Sequence, residues 1–467
     1  MTPLQNHDHE GPERKQYNNN KANNEPQHHV EEDESNESTM GVSMATKSPA
    51  ADGSDPYYTE GWHNPGWLST LSLFLVSFGV VGFMFSWGAF QHYYLEHVYG
   101  GQTDSFHIAF VGTIAYMLST SLGLPMGYII YYIGYRRTMM IGTVLCPLAL
   151  FLASVANELW QTALSHGVMY GLGASFCVSA TFVLPSQWFI KRRSLANGIG
   201  NMGVPAGGIC FSPLTQYLLD TLGHRNALRT MACILFVVFS LATILIRARY
   251  PPKPPQYRAG VDDEQDKKAN TTRSPLLSTP FILFLVFLAL APFGYLIPFY
   301  LMPTYATQAL GASGSLGAAM VSVASASNCI SRLVWGFAAD RYGNMNTLIF
   351  TTGVSGALTM VLWQLSSTLP MYTVYCLLVG FSAAMYMSLM PSIVASLVGM
   401  DYLYTGAMLS WMIAAIGGLL GTPVFMKLQA SIGWTGAIQL AGGSSIFATL
   451  CLVAARLWVD RRIISKL

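Results

Sequence analysis

Two ionisable side chains, Arg332 and His166, interrupt the long apolar stretches of this sequence well away from their ends. A charge in an apolar phase costs roughly 2.5–3.5 kcal/mol on insertion scales, so a guanidinium there faces a cavity, a partner or an anion. Ser325, Asn328 and Arg332 recur at i, i+3 and i+7 and share one helix face. That face offers anion recognition through a planar, two-pronged donor. The competing placement lets Arg332 snorkel to a membrane surface, because it stands eight residues before Asp340, about 12 Å along a helix. His166, followed by Tyr170 and Gly173 at i+4 and i+7, either titrates or serves as a hydrogen-bonded packing residue. Asn197 and Asn201, four apart in ANGIGNMGVPAGG, are amides that need partners in an apolar phase. A substrate and a neighbouring helix are both open as those partners. Phe85, Trp87, Phe90, Tyr295, Tyr300, Tyr386 and Trp411 either line an amphipathic cavity or pack.

Other chemistry is missing from the pattern. No carboxylate lies in the middle of an apolar stretch, so a buried acidic proton relay is not expected. There is no GxxxxGK[ST], GxSxG or HExxH, and an enzyme, a nucleotide-driven pump, a cofactor or a metal site is not expected either. The seven cysteines all fall in apolar stretches without a CxxC and read as small packing residues.

The elements that must position these residues follow from composition. The chain has 467 residues, 52% hydrophobic and only 10% charged, against about 25% charged in a soluble domain. Residues 1–60 hold 12 of the 23 acidic residues and form a polar, low-complexity segment that reads as a disordered tail. This balance excludes a nucleic-acid binder and a single soluble core. Twelve apolar runs follow, at 67–90, 107–131, 138–156, 159–183, 195–219, 226–246, 280–302, 314–338, 347–366, 369–398, 404–427 and 434–457. About 20 apolar residues span a bilayer as a helix. The expectation is an all-α membrane protein of twelve transmembrane helices in two six-helix halves, 61–246 and 280–467, joined by a Pro-rich, charged linker at 247–279. Arg136, Arg137, Lys191, Arg192, Arg193 and Arg341 lie in even-numbered connections, and the linker and the C-terminal end are also basic. Positive-inside counting therefore places the linker and both termini in the cytosol.

The halves repeat. Gly127, Tyr131 and Gly134 recur as Gly336, Asp340 and Gly343 at an offset of 209. Gly207-Gly208 before Pro213 recurs as Gly417-Gly418 before Pro423 at an offset of 210. Two six-helix units in the same orientation are implied, with Gly208, Pro213, Gly418 and Pro423 as candidate hinge positions.

The stretches FSWGAFQHYYLEH (85–97), QWFIKRRSLANGIGNMGVPAGGICFSPL (187–214), SNCISRLVWGFAADRYG (327–343) and GLLGTPVFMKL (418–428) resemble the monocarboxylate-transporter-like family of the major facilitator superfamily, in its fungal branch. The resemblance implies a major facilitator fold and a secondary transporter of a small organic solute, anionic or aromatic, working by alternating access. It implies substrate contact by Arg332 and a latch formed by Asp340 and Arg341 with Gly336, echoed in the first half by Arg136 and Arg137. The remaining candidate contacts are Asn328, Asn201, Asn197, His166, Phe85, Ser86 and Tyr295. The partners implied are a small-molecule substrate, the lipid bilayer and a coupled proton, with no nucleic acid or nucleotide. The sequence departs from the family in having Asn328 where animal members carry an acid, Phe85 where they carry a lysine, and Tyr131 where the first-half latch carries an acid. Export of a fungal secondary metabolite is the alternative, and a non-transporting nutrient receptor a remote one. The plasma membrane is the expected location, with the vacuole or another internal membrane as the alternative.

Overall fold

The computed structural model describes residues 61–99, 105–252 and 275–460. The tail, most of the linker and Lys466 lie outside the described residues, as do the side chains around Pro423. Each expected run falls on one helix. The first six are α1 Gly66–Tyr93, α2 105–133, α3 Tyr135–Val155, α4 Leu159–Trp188, α5 193–222 and α6 224–245. The last six are α7 Thr279–Gln308, α8 Gly314–Tyr342, α9 Asn344–Trp363, α10 Leu369–Val398, α11 403–432 and α12 434–459. No strand occurs among the described residues.

Glycines divide these rods where the chain must enter the left-handed region. Gly134 (φ 84°) separates α2 from α3, and Gly223 (φ 71°) separates α5 from α6. Their repeat equivalents Gly343 (φ 101°) and Gly433 (φ 76°) separate α8 from α9 and α11 from α12. A side chain there would meet the Cβ–carbonyl clash that keeps L-residues out of positive φ. The repeat read from the sequence is thus also a repeat of turns.

Eight described helices are long and apolar enough to cross a membrane, and the two parts of α2, bent by 53°, make a ninth. The first of these counts takes α5 and α6 together. Helix α8 falls short because Ser327, Asn328, Ser331 and Arg332 occupy its buried face. A helix whose polar face is buried reads as less membrane-like than its neighbours, and this is the helix that carries chemistry.

Small residues bring the rods together. Gly142 and Gly173 seat α3 against α4, with Cys146 and Cys177 between them. A Cβ on Gly207 would collide with the Phe78 carbonyl of α1, and one on Gly417 with the Ala289 carbonyl of α7. Each half therefore packs its fifth helix on its first through the same glycine. The adjacent glycines meet side chains and no backbone, Gly208 facing Phe85 and Gly418 facing Leu296, Tyr116 and Pro292. Gly207→Ala and Gly417→Ala should each lower the melting temperature of the purified protein, by an overpacking cost of about 1–3 kcal/mol. Gly208→Ala should be near neutral in the same scan. The cysteine expectation holds for the buried Cys146, Cys177 and Cys376, while Cys210 and Cys233 are exposed on helix surfaces and are not core packing residues.

Within Tyr57–Leu467 the described residues form one compact unit. The end where Ile246, Arg247 and Pro275–Leu277 lie is called the linker end below, and the opposite end the far end.

Candidate functional site

Helix α10 is broken. Its first part ends at Ser382, Ala383 is extended, and Ala384 adopts the left-handed conformation at φ 65° before helix resumes at Met385. A non-glycine residue there costs about 1–2 kcal/mol, so the surroundings must impose it. Asn328 of α8 supplies part of that restraint. Its Nδ2 donates to the carbonyls of Gly380 (2.9 Å) and Ala383 (3.0 Å) on the near side of the break.

The other side of the same amide holds Arg332. Its Nε donates to Asn328 Oδ1 at 3.2 Å, Nη1 donates to Ser388 Oγ at 2.9 Å, and Nη2 lies 4.0 Å from Met387 Sδ. Arg332 is fully buried and does not snorkel to a surface. Every group holding it is neutral, and no carboxylate contacts it among the described residues. Tyr295 of α7 and Tyr386 of α10 are buried within electrostatic reach of the guanidinium, their rings 6.4 Å apart. Tyr116 of α2 and Tyr300 join this group from opposite halves.

The other candidates divide. Asn201 lines a small, largely apolar pocket with Val178, Phe182, Met387 and Trp411, between the first six and the last six helices. Asn197 bonds to neighbouring helices instead, donating to Ser186 Oγ (2.8 Å) and Ser392 Oγ (3.2 Å). Ser86 is buried and bonds back to the Phe83 carbonyl at 2.6 Å. Phe85 stands beside Gly208. His166 lies apart from Arg332, inside the first six helices, among Phe83, Trp87, Phe90 and Tyr170. No hydrogen bond reaches its Nδ1 among the described residues.

At the linker end, α5 meets α8. Arg192, the residue preceding α5, makes no side-chain cap. Asp340 of α8 caps the helix from across the interface, its Oδ1 accepting from Ser194 N and its Oδ2 from Leu195 N, both at 2.9 Å. A carboxylate on the first-turn amides satisfies orphan donors and meets the positive end of the helix dipole. Ser194 Oγ also donates to Asn344 Oδ1 at 2.5 Å. Gly336 brings the backbones together, since a Cβ on it would lie 3.2 Å from Leu195 Cα, and Gly198 faces the Arg332 carbonyl in the same seam. The pseudo-equivalent contact, α2 against α11, is built differently. Tyr404 donates to the Gly123 carbonyl at 2.8 Å and Met408 covers Gly123. Tyr131 is exposed, as are Arg136 and Arg137, and Arg341 stands over the Tyr342 ring. At the linker end the Asp340 carboxylate thus joins α8 to α5, a contact that α2 and α11 do not reproduce through Tyr131. Pro213 lies inside α5.

Several of these groups have little sequence signal. Ser388 and Ser392 are ordinary polar residues in an apolar run, Asn344 is one polar residue among several in the connection between α8 and α9, and the break at Ala384 has no adjacent glycine or proline. Non-α turns of the wide, i+5 kind interrupt α1 at Phe78–Gly82 and α4 at Ala163–Met169, the latter containing His166. Such bulges concentrate at functional sites.

The sequence profile of the Major Facilitator Superfamily matches residues 66–422. The chain belongs to this superfamily. As a Major Facilitator Superfamily transporter it carries twelve helices and moves small solutes across a membrane. Its relatives include "Monocarboxylate transporter 13" of Rattus norvegicus, 31% identical over 84% of this chain and 89% of the relative. The "Agnestins efflux protein AgnL12" of Paecilomyces divaricatus is 27% identical over 90% of this chain and 93% of the relative. The "Fujikurins efflux protein" of Gibberella fujikuroi is 26% identical over 85% and 84%. Among solved structures, the transporter FucP in its outward conformation superposes with a TM-score of 0.64 at 14% identity, over 83% of this chain and 98% of that one. That likeness bears on the fold.

Proposed function

We propose that this transporter exports an organic anion across the plasma membrane in exchange for a proton, with the linker end cytosolic. The carrying observation is Arg332, a buried guanidinium held by Asn328, Ser388 and Met387 without a carboxylate beside it. A positive charge so placed is best completed by an anionic group on the solute. The efflux names of the fungal relatives support the outward direction. The charge balance supports the exchange. One proton moving in and one anion moving out both run with an inside-negative potential, each gaining about 2.3 kcal/mol per 100 mV. The two halves, 61–246 and 280–467, rock about the site, and the latched linker end makes this the state closed to the cytosol. The tyrosines near Arg332 suit an anion that also carries an aromatic ring or hydroxyl groups.

The monocarboxylate relative supports a second reading, in which a simple short acid is moved. Inside-out vesicles with an acidic interior decide between them when given radiolabelled benzoate and lactate as probes. Accumulation of benzoate above lactate is expected, and accumulation of neither overturns the anion reading. Orientation is checked on intact cells. Cysteine at the exposed Ser313, at the far end, should react with an impermeant thiol reagent. Cysteine at the exposed Tyr342, at the linker end, should not. The reverse pattern would invert the topology.

A further inference from the structure

Three polar atoms without hydrogen-bond partners lie in one buried cluster of the first six helices: His166 Nδ1, Trp87 Nε1 and Tyr94 Oη. Buried polar groups are nearly always satisfied, so three orphans together call for a functional account. The imidazole is nine-tenths buried or more. The Trp87 ring approaches it edge-on at 5.0 Å, Phe90 at 5.6 Å and Tyr170 at 6.0 Å, with Phe83 stacked at 6.1 Å.

The groups facing it can be named element by element. Helix α1 presents Phe83, Trp87 and Phe90, none of which titrates near neutrality, and then Tyr94 in the turn that continues it. Helix α4 presents Tyr170, whose hydroxyl donates to the Gly79 carbonyl at 3.3 Å. Helix α2 approaches through Val111 and Ile114, against Gly167. Helix α3 approaches Tyr170 through Cys146. No acidic or basic side chain among the described residues acts on the ring. From Trp87 the cluster continues to Tyr94 (6.2 Å), then to His224 (6.1 Å) at the start of α6, and through Tyr93 to the exposed His97 at the far end. A chain of aromatic ring contacts thus runs from the far-end surface to His166. The backbone around it is not regular helix, since His166 sits in the wide turn Ala163–Met169.

We propose that His166 is the proton-binding site of the transport cycle, neutral in this linker-closed state and protonated in the linker-open one. The proposal rests on the alternating-access reading above and deepens it. A second proton on this imidazole makes a cation among aromatic rings, with no acid to pair it. Binding that proton therefore disfavours the present packing and favours a state in which α1 and α4 rearrange to hydrate or pair the ring. By linkage, acid shifts the population toward the linker-open state. One linked proton changes the ratio of the two states by at most tenfold per pH unit. The proton arrives from water at the far end and leaves to the cytosol once the linker end has opened, so no other reactant is required. In this sequence His166 takes over a task that a membrane carboxylate would otherwise perform, and no such carboxylate exists in its apolar stretches.

The test uses the full chain in lipid vesicles, with spin labels at Tyr132 and Tyr342, both exposed at the linker end, and distances read from pH 8 to pH 5. In otherwise unaltered protein the longer distance should gain population as pH falls, with a slope of up to tenfold per unit. His166→Gln should abolish that pH dependence and stay in one population. If His166→Gln follows the unaltered curve, the proposal is overturned. Should glutamine prevent assembly, Trp87→Phe takes its place, because it keeps the imidazole and removes the indole N–H beside it. Its pH midpoint should move, and an unmoved midpoint overturns the proposal. Asp340→Asn is the control for the underlying reading. If it lengthens the distance while pH does not, the His166 assignment alone fails. If neither changes the distance, alternating access between these halves fails, and the proposal with it.

Discussion

Arg332→Gln should abolish transport of the anionic substrate while leaving the amount of protein at the membrane unchanged, and Arg332→Lys should retain a small fraction with weaker apparent affinity. The reason lies in the geometry around the guanidinium. Its Nε and Nη1 are committed to Asn328 and Ser388, and Nη2 faces only a methionine sulfur. Lysine keeps the charge but concentrates its donors at one nitrogen, and it cannot hold Asn328 and Ser388 while also meeting a carboxylate in two-pronged fashion. Loss of one charge-assisted contact is worth about 1.5–3 kcal/mol, roughly ten- to a hundred-fold in affinity. Glutamine loses the charge as well, and with it the complement for the anion. Flux corrected for surface protein provides the measurement. Wild-type affinity in Arg332→Gln would remove this side chain from the site, and full activity in Arg332→Lys would show that a point charge suffices.

The second large effect is expected from Asp340→Asn. The carboxylate receives two main-chain N–H bonds from the first turn of α5 and faces the positive end of its dipole. An amide keeps one acceptor oxygen and loses the charge. The loss is about 1.5–3 kcal/mol, by the cost of charge-assisted hydrogen bonds. It falls on the linker-closed state alone and shifts the balance toward the open state by ten- to a hundred-fold. Transport should slow because the return to the closed state becomes unfavourable, while substrate binding from the linker side tightens. The distance between labels at Tyr132 and Tyr342 reads the population directly. Asp340→Glu should show a smaller shift, since it restores the charge with a longer reach.

Most of the architecture was legible in the residues. Apolar length locates all twelve helices, because a chain that must satisfy its backbone in lipid has few alternatives to helix. The repeated glycines are legible for a similar reason, since only glycine enters the positive-φ turns at Gly134, Gly223, Gly343 and Gly433 without a clash. The pairing of Asn328 with Arg332 on one face of α8 was legible through its spacing and both are buried, but Ser325 is only half-buried and Ser327 and Ser331 complete the buried face in its place. The break in α10 was not. Phe381, Ser382, Ala383 and Ala384 have no local preference for a turn, and the distortion is upheld from another helix by the Asn328 amide. The role of Asn197 was open between substrate and helix, and its serine contacts depend on which rods lie beside it. Of the rings around His166, Trp87 and Phe90 stand out in the sequence as lining or packing residues while Phe83 does not, and nothing in one dimension says that three rings from one helix surround a side chain of another.

The Asp340 cap has a consequence for how this interface tolerates change. On the α5 side its donors are peptide N–H groups of Ser194 and Leu195. Every amino acid except proline carries that donor, so drift in the side chains of this turn leaves the bidentate contact intact. The acceptor side of this contact is carried by Asp340, whereas on the α5 side only the Ser194 hydroxyl, bonded to Asn344 and Ser392, adds side-chain information. A screen for variants that fail to close should therefore recover substitutions at position 340 repeatedly. At position 195 it should recover chiefly proline, and at position 194 also substitutions that remove or enlarge the buried hydroxyl side chain.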